Sequence, residues 1–207
     1  MSELLDYSGY ATRVRGLGPG ERVVLWVRGC TIGCPGCMTP DLWAKGVARP
    51  IEPLAQELAA HLQSHDGLSI SGGEPFQQPL EVANLLDRVR ALVGTHVLCY
   101  SGFTIKHLRR NVEAAVLLSK IDVLMDGPYL QGKGNSKAWR GSDNQRMHLL
   151  TAQAMDATDE LAGEKRELQI QSCADGSLRV IGIPRREDWA VFRHLLQQRG
   201  FRVEGAD

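Results

Sequence analysis

Apolar positions along the 207-residue chain change period repeatedly, and the order of the changes outlines a fold. Residues 23–27 (Val-Val-Leu-Trp-Val) form a near-continuous apolar run, the pattern of a strand buried on both faces. A short strand at 10–15 and a glycine-rich turn at 16–20 precede it. That turn stands before the strand rather than between a strand and a helix, so it is read as a turn and not as a phosphate-binding fingerprint. From Pro53 to about residue 64, Leu54, Ala55, Leu58, Ala59 and Leu62 recur at helical spacing. A strand at 67–71 runs into Gly72-Gly73, and an amphipathic helix follows at 79–93 with Leu80, Ala83, Leu86 and Val89 on its apolar side. Next come a strand at 95–100 ending in Ser101-Gly102, helical material at 105–119 and a strand at 121–125. Such alternation predicts parallel strands joined by right-handed crossovers. Three cysteines, Gly-Gly-Glu, Ser-Gly and Asp-Gly each fall just after a strand, and in a (β/α) barrel those positions share the face where active sites are built.

The alternation lapses into a polar linker at 153–164. Beyond it, apolar stretches at 167–173 and 178–183 flank Asp175-Gly176, the signature of a β-hairpin. Pro184 precedes a helix at about 186–199 with Gly200 as its C-cap, and 201–203 reads as a last strand. The chain therefore divides into a core at 1–152 and a small ββαβ-like extension at 165–207.

Composition narrows the class. Apolar residues make up 43% and charged residues 23%, and 24 basic side chains balance 24 acidic ones. That balance leaves no electrostatic footprint for nucleic acid or an anionic membrane. No apolar run has the length of a membrane span, and the amino terminus lacks a signal-peptide pattern. Five cysteines, an odd and clustered set, argue against a disulfide framework and for a reducing, cytoplasmic setting.

Three of those cysteines, Cys30, Cys34 and Cys37, are spaced C-x3-C-x2-C. Soft thiolates so close together suit zinc or an iron–sulfur cluster. Structural zinc takes four ligands, and no fourth cysteine or histidine stands nearby in sequence. Three thiolates instead suit a [4Fe-4S] cluster with one iron left open, and zinc or unligated thiols are the competing reading.

The cysteine triplet after a strand, followed by Ser71-Gly-Gly-Glu-Pro75, resembles the radical S-adenosylmethionine enzymes. Gly18-Pro-Gly20, Cys34-Pro-Gly-Cys37, 122–129 (Asp-Val-Leu-Met-Asp-Gly-Pro-Tyr) and 139–146 (Trp-Arg-Gly-Ser-Asp-Asn-Gln-Arg) resemble, within that superfamily, the activating proteins of anaerobic ribonucleoside-triphosphate reductase. The resemblance spans roughly residues 8–150. It implies an α/β fold built on an incomplete (β/α) barrel. It also implies a [4Fe-4S] cluster on the three cysteines whose open iron binds S-adenosylmethionine, reductive cleavage to a 5′-deoxyadenosyl radical, and removal of a glycine Cα hydrogen from a partner. The partner it implies is a glycyl radical enzyme, foremost the anaerobic ribonucleotide reductase catalytic subunit, with a flavodoxin- or ferredoxin-type electron donor.

By the same resemblance Gly72, Gly73 and Glu74 meet the methionine ammonium of the cofactor. Ser101 lies near its ribose and methionine moieties, Asp126 at the next strand end faces it, and Arg140 grips a carboxylate of the cofactor or of a partner. Turn residues and a solvated loop are the plainer readings of Ser101, Asp126 and Arg140. Asn144 and Gln145 are candidates for bonding an extended peptide, and Met38 for contacting adenine, because Gly36 replaces the aromatic residue common before the last cysteine of the wider superfamily. Cys99 and Cys173 read as buried, inert thiols. The alternatives to an activating enzyme are a radical enzyme acting on a peptide or small molecule, with the extension as recognition module or lid, and a non-catalytic iron–sulfur protein.

Overall fold

The computed structural model describes residues 3–134, 137–152, 154, 166–172, 176 and 178–202. Its centre is a six-stranded mixed sheet of β2 (Tyr7–Val14), β3 (Arg22–Val27), β5 (Gly67–Gly72), β6 (Val97–Ser101), β7 (Val123–Asp126) and β8 (Arg146–Leu149), adjacent in that order. The middle four strands run parallel, as the strand–helix alternation predicts, and β2 and β8 close the edges antiparallel. A two-residue ladder of β1 (Leu4–Leu5) and β4 (Arg49–Pro50) lies apart from them.

Strand alternation assigns the two faces. Val23, Leu25 and Val27 of β3 pack with Leu54 and Leu58 of α1 (Ile51–Leu62) and Leu85, Leu86 and Val89 of α2 (Pro79–Leu92). Burying each such side chain contributes about 1.5–3 kcal/mol, so this helix-covered face is the main core. The opposite face carries Val24, Trp26, Leu98, Tyr100 and Met125. With both faces covered, β3 needs the unbroken apolar run that marks it in the sequence.

Boundaries shift where capping chemistry decides. Helix α1 starts two residues before Pro53, which sits third in the helix, where a missing N–H breaks no intrahelical bond. The helical stretch expected at 105–119 is two helices, α3 (Ile105–Leu108) and α4 (Val112–Leu118). Asn111 separates them by turning its Oδ1 onto the Ala114 N–H as an N-cap, 3.0 Å away. β8 falls in a stretch with no expected strand, because its four residues are too few for a two-residue period to register.

Beyond the sheet, β9 (Leu168–Ser172) and β10 (Leu178–Gly182) form the expected antiparallel hairpin, followed by α5 (Arg186–Gln198) with Gly200 at φ 82° behind it. Phe201 and Arg202 are not in a strand, and Val203 lies outside the described residues, as do Cys173 and the 153–164 linker apart from Ala154. Among the described residues no helix is long and apolar enough to cross a membrane.

At the amino-terminal ends of the parallel strands Arg22 is 1% exposed. It donates to Ser69 Oγ (2.7 Å), Leu68 O (2.8 Å), His96 O (3.1 Å) and Pro19 O (3.3 Å), and burial pulls its pKa down to about 10. Gly18 and Gly67 make room for it, since a Cβ on either would lie within 2.7 Å of the Arg22 side chain. One guanidinium thus ties together the turn before β3, β5 and the residue before β6. Arg22→Met should leave these acceptors without a donor and cost about 2–4 kcal/mol, read as a lower urea midpoint with an unchanged slope. An unchanged midpoint would contradict the role.

Candidate active site

The other ends of the parallel strands converge because their registers are aligned. Val27 lies beside Gly72, and Ser101 beside Asp126. The chain leaving β3 enters the cysteine loop, which hydrogen bonds hold in place: Gly29 N–H to Leu42 O (2.9 Å), Cys30 N–H to Trp43 O (2.9 Å) and Cys37 N–H to Cys34 O (3.1 Å). Gly33 and Gly36, at φ 61° and 71°, let the loop curl so that the three thiols share one wall. Cys30, Cys34 and Cys37 are free, half-buried and face a cavity of about 190 Å³. Burial pushes the Cys34 thiol up, a backbone hydrogen bond from Tyr129 opposes this, and Cys37 and Cys30 add to the rise. Thiolates in this setting call for a cationic partner, which iron supplies, so the donor set fits a cluster. Among the described residues no group of three His, Cys, Asp or Glu side chains is arranged to hold a single metal ion.

The Gly72–Glu74 segment is pressed onto the root of that loop. Gly73 N–H donates to Val27 O and Glu74 N–H to Gly29 O, both at 2.8 Å, while Thr39 Oγ1 donates to Gly72 O at 3.2 Å. Gly72 has φ +106°, and a Cβ there would meet Val27 O at 2.4 Å; one on Gly73 would meet Gly29 O at 2.5 Å. Only glycine permits this approach. The Glu74 side chain then crosses to the end of β6. Its Oε1 accepts from the Phe76 N–H (3.0 Å) and Ser101 Oγ (2.9 Å), and its Oε2 from the Gly102 N–H (2.7 Å). Glu74 is 1% exposed, and burial outweighs these three donors to push its pKa up to about 7.

Residues 17–148 match the family model described as a 4Fe-4S single cluster domain. Curated relatives of this chain carry the name anaerobic ribonucleoside-triphosphate reductase-activating protein. The one from Enterobacteria phage T4 is 35% identical over 136 residues, covering 63% of this chain and 85% of its own. The Escherichia coli K12 protein is 32% identical over 142 residues (64% and 91%) and that of Vibrio cholerae 33% over 143 (65% and 91%). This chain belongs to that family.

Within this family member, the cavity is lined by the three cysteines, Gly72, Gly73, Glu74 and Ser101 among the expected site residues, and by Met38. Asp126 and Arg140 are not in its lining. The Asp126 carboxylate accepts from the Ile105 N–H at 2.6 Å and lies 3.1 Å from His148 Nε2 on β8. Arg140 is half-buried, and its carbonyl accepts from Arg166 at 2.6 Å. The Asn144 amide donates to Pro128 O (2.8 Å), while Gln145 donates to Gly127 O (3.0 Å) and accepts from the Gly141 N–H (2.7 Å), so both brace the loop after β7. Cys99 lies in the helix-side core, fully buried, with its thiol pushed well above the usual range by burial.

Other parts of the wall have no role assigned from the sequence. Thr39, Trp43 and Tyr129 line the cavity, and so do Ile183 and Pro184 from the extension. Tyr129 closes the 122–129 motif without an assigned role, whereas Ile183 and Pro184 arrive through packing that no local pattern announces.

Glu74 gives a pH test. Native protein keeps its proton up to about pH 7, whereas unfolded chain releases it near the ordinary value of 4.5. The native state therefore binds more protons between these values, and stability falls as pH rises through that window, by roughly 3 kcal/mol from this residue. Glu74→Gln should turn an amide N–H₂ toward a donor, cost about 1–3 kcal/mol at pH 5, and close the gap to wild type by pH 8. Urea midpoints across this range check it; a wild-type slope persisting in the variant would contradict it.

Proposed function

We propose that the protein is a radical S-adenosylmethionine activating enzyme that removes a glycine Cα hydrogen from an anaerobic ribonucleotide reductase catalytic subunit. The observation that carries this reading is the convergence of three free thiols and the Gly72–Glu74 loop on one cavity at the carboxy ends of parallel strands, in a chain of this family. The central sheet and its helices then correspond to an incomplete (β/α) barrel. Its position supports that correspondence, because barrel sites are built at these strand ends.

In this reading Cys30, Cys34 and Cys37 hold the [4Fe-4S] cluster. The main chain at Gly72 and Gly73 borders the methionine end of S-adenosylmethionine, and Glu74 with Ser101 fixes that loop to β6. The cluster and cofactor held there would supply one-electron reductive cleavage of S-adenosylmethionine, giving methionine and an adenosyl fragment able to take the partner's glycine hydrogen. This chain's residues orient the reacting groups and exclude water. A flavodoxin- or ferredoxin-type protein is the electron source we infer.

Replacing Cys30, Cys34 or Cys37 with Ser should abolish iron retention after anaerobic reconstitution, whereas Cys99→Ala should keep wild-type iron content; equal retention in all four would overturn the ligand assignment. The function is tested by mixing reduced, reconstituted protein and S-adenosylmethionine with the same organism's reductase subunit. A glycyl-radical doublet in the electron paramagnetic resonance spectrum, dependent on every component, is expected. 5′-Deoxyadenosine formed without a doublet would move the substrate to a peptide or metabolite, and neither product would overturn the enzyme reading.

A further inference from the structure

The sheet face away from the helices is covered in part by the carboxy-terminal hairpin, which lies beyond the family model's end at residue 148. β10 sends Ile181, 2% exposed, among Ala11, Val14, Leu17 and Val24, and sets the Arg179 guanidinium 5.4 Å from the Trp26 ring. Gln169 and Gln171 donate to Arg13 O (2.9 Å) and Thr12 O (2.8 Å), and the Arg15 N–H donates to Gln169 Oε1 (2.6 Å). Neither β9 nor β10 pairs with a strand of the main sheet, so side chains rather than a backbone ladder seat the hairpin.

Just past β10 the chain reaches the active-site cavity, where Ile183 and Pro184 form part of the wall. Arg166 fixes that segment. Its Nε donates to Lys137 O (3.1 Å), one terminal nitrogen to Ile183 O (3.0 Å) and the other to Arg140 O (2.6 Å). A planar guanidinium bonded to three main-chain carbonyls sets the wall at a defined distance from the loop after β7, which also borders the cavity through Tyr129 and Gly141. On this same face the Tyr100 hydroxyl, buried and without a hydrogen-bond partner among the described residues, belongs to a residue that lines the cavity. Ile183 and Pro184 thus present an apolar wall to what enters.

We propose that the extension is the substrate-side wall of the active site, with Arg166 as the positioning residue that holds Ile183 and Pro184 in place. The wall admits a slender main-chain segment, as a glycine presents, and keeps water out of the cavity when a substrate is seated. Radical chemistry gains from that exclusion because a shielded reactive fragment takes hydrogen from the seated partner rather than from elsewhere. This inference rests on the activating-enzyme reading above.

The test compares wild type with Arg166→Ala, which frees the wall, and Ile183→Ala, which trims it while leaving the Arg166 contacts in place. Amide hydrogen exchange on the iron-free proteins reports the wall itself. Exchange across 178–184 should quicken in Arg166→Ala and stay unchanged in β5. With reconstituted protein, cofactor and reductase subunit, both variants should form several-fold more 5′-deoxyadenosine per glycyl radical than wild type. Unchanged exchange in Arg166→Ala, or a wild-type product ratio in Ile183→Ala, would overturn the wall, the second holding even where Arg166→Ala fails to fold. If wild type forms no 5′-deoxyadenosine at all, the activating-enzyme reading itself fails, which is a distinct result.

Discussion

The site depends on one carboxylate. Glu74 stands where β5 has just ended, and its two oxygens take three donors from its own turn and from the end of β6. Ionised, it makes three charge-assisted hydrogen bonds; protonated, it avoids a buried charge, and burial outweighs the donors to push its pKa up to about 7. Through it the loop after β6 is held to the loop after β5. Through Gly72 and Gly73 the loop after β5 is held in turn to the root of the cysteine loop. The spacing of the thiols is thus inherited from three strand ends rather than from the cysteine loop alone.

The two ends of the parallel strands solve opposite problems with buried charge. At the amino ends Arg22 is surrounded by carbonyls and a hydroxyl and closes the sheet off. At the carboxy ends the backbone is kept open by glycines, and the buried charge is an acceptor that gathers N–H and O–H groups. Stability resides at the first end and the cavity at the second, the division expected of parallel strands feeding loops.

Much of this was legible because the signals are local. The apolar run of β3, the helical spacing in α1 and α2, and the glycines or serines at strand ends each lie within a few residues, and the cysteine triplet carries its own chemistry. What was not legible depends on distance along the chain. Glu74 reads as a charge available to a ligand, yet its partners Ser101 and Gly102 lie 27 and 28 residues away and engage it within the protein. Asp126 reads as a site residue by its place at a strand end, but an N–H of α3 takes its carboxylate. The wall at Ile183 and Pro184 depends on Arg166 reaching back to Lys137 and Arg140, a connection with no periodic trace.

In the proposed reaction the strand-end cavity opens onto a glycine of a second protein, and hydrogen passes directly from it to the adenosyl fragment. The most direct measurement is isotope transfer. Reductase subunit carrying glycine deuterated at Cα would be activated under reducing, anaerobic conditions, and the 5′-deoxyadenosine formed would be analysed by mass spectrometry. One deuterium is expected in each 5′-deoxyadenosine formed with a glycyl radical. Product without deuterium, accompanied by the same radical yield, would contradict direct transfer and with it the role assigned to the cavity.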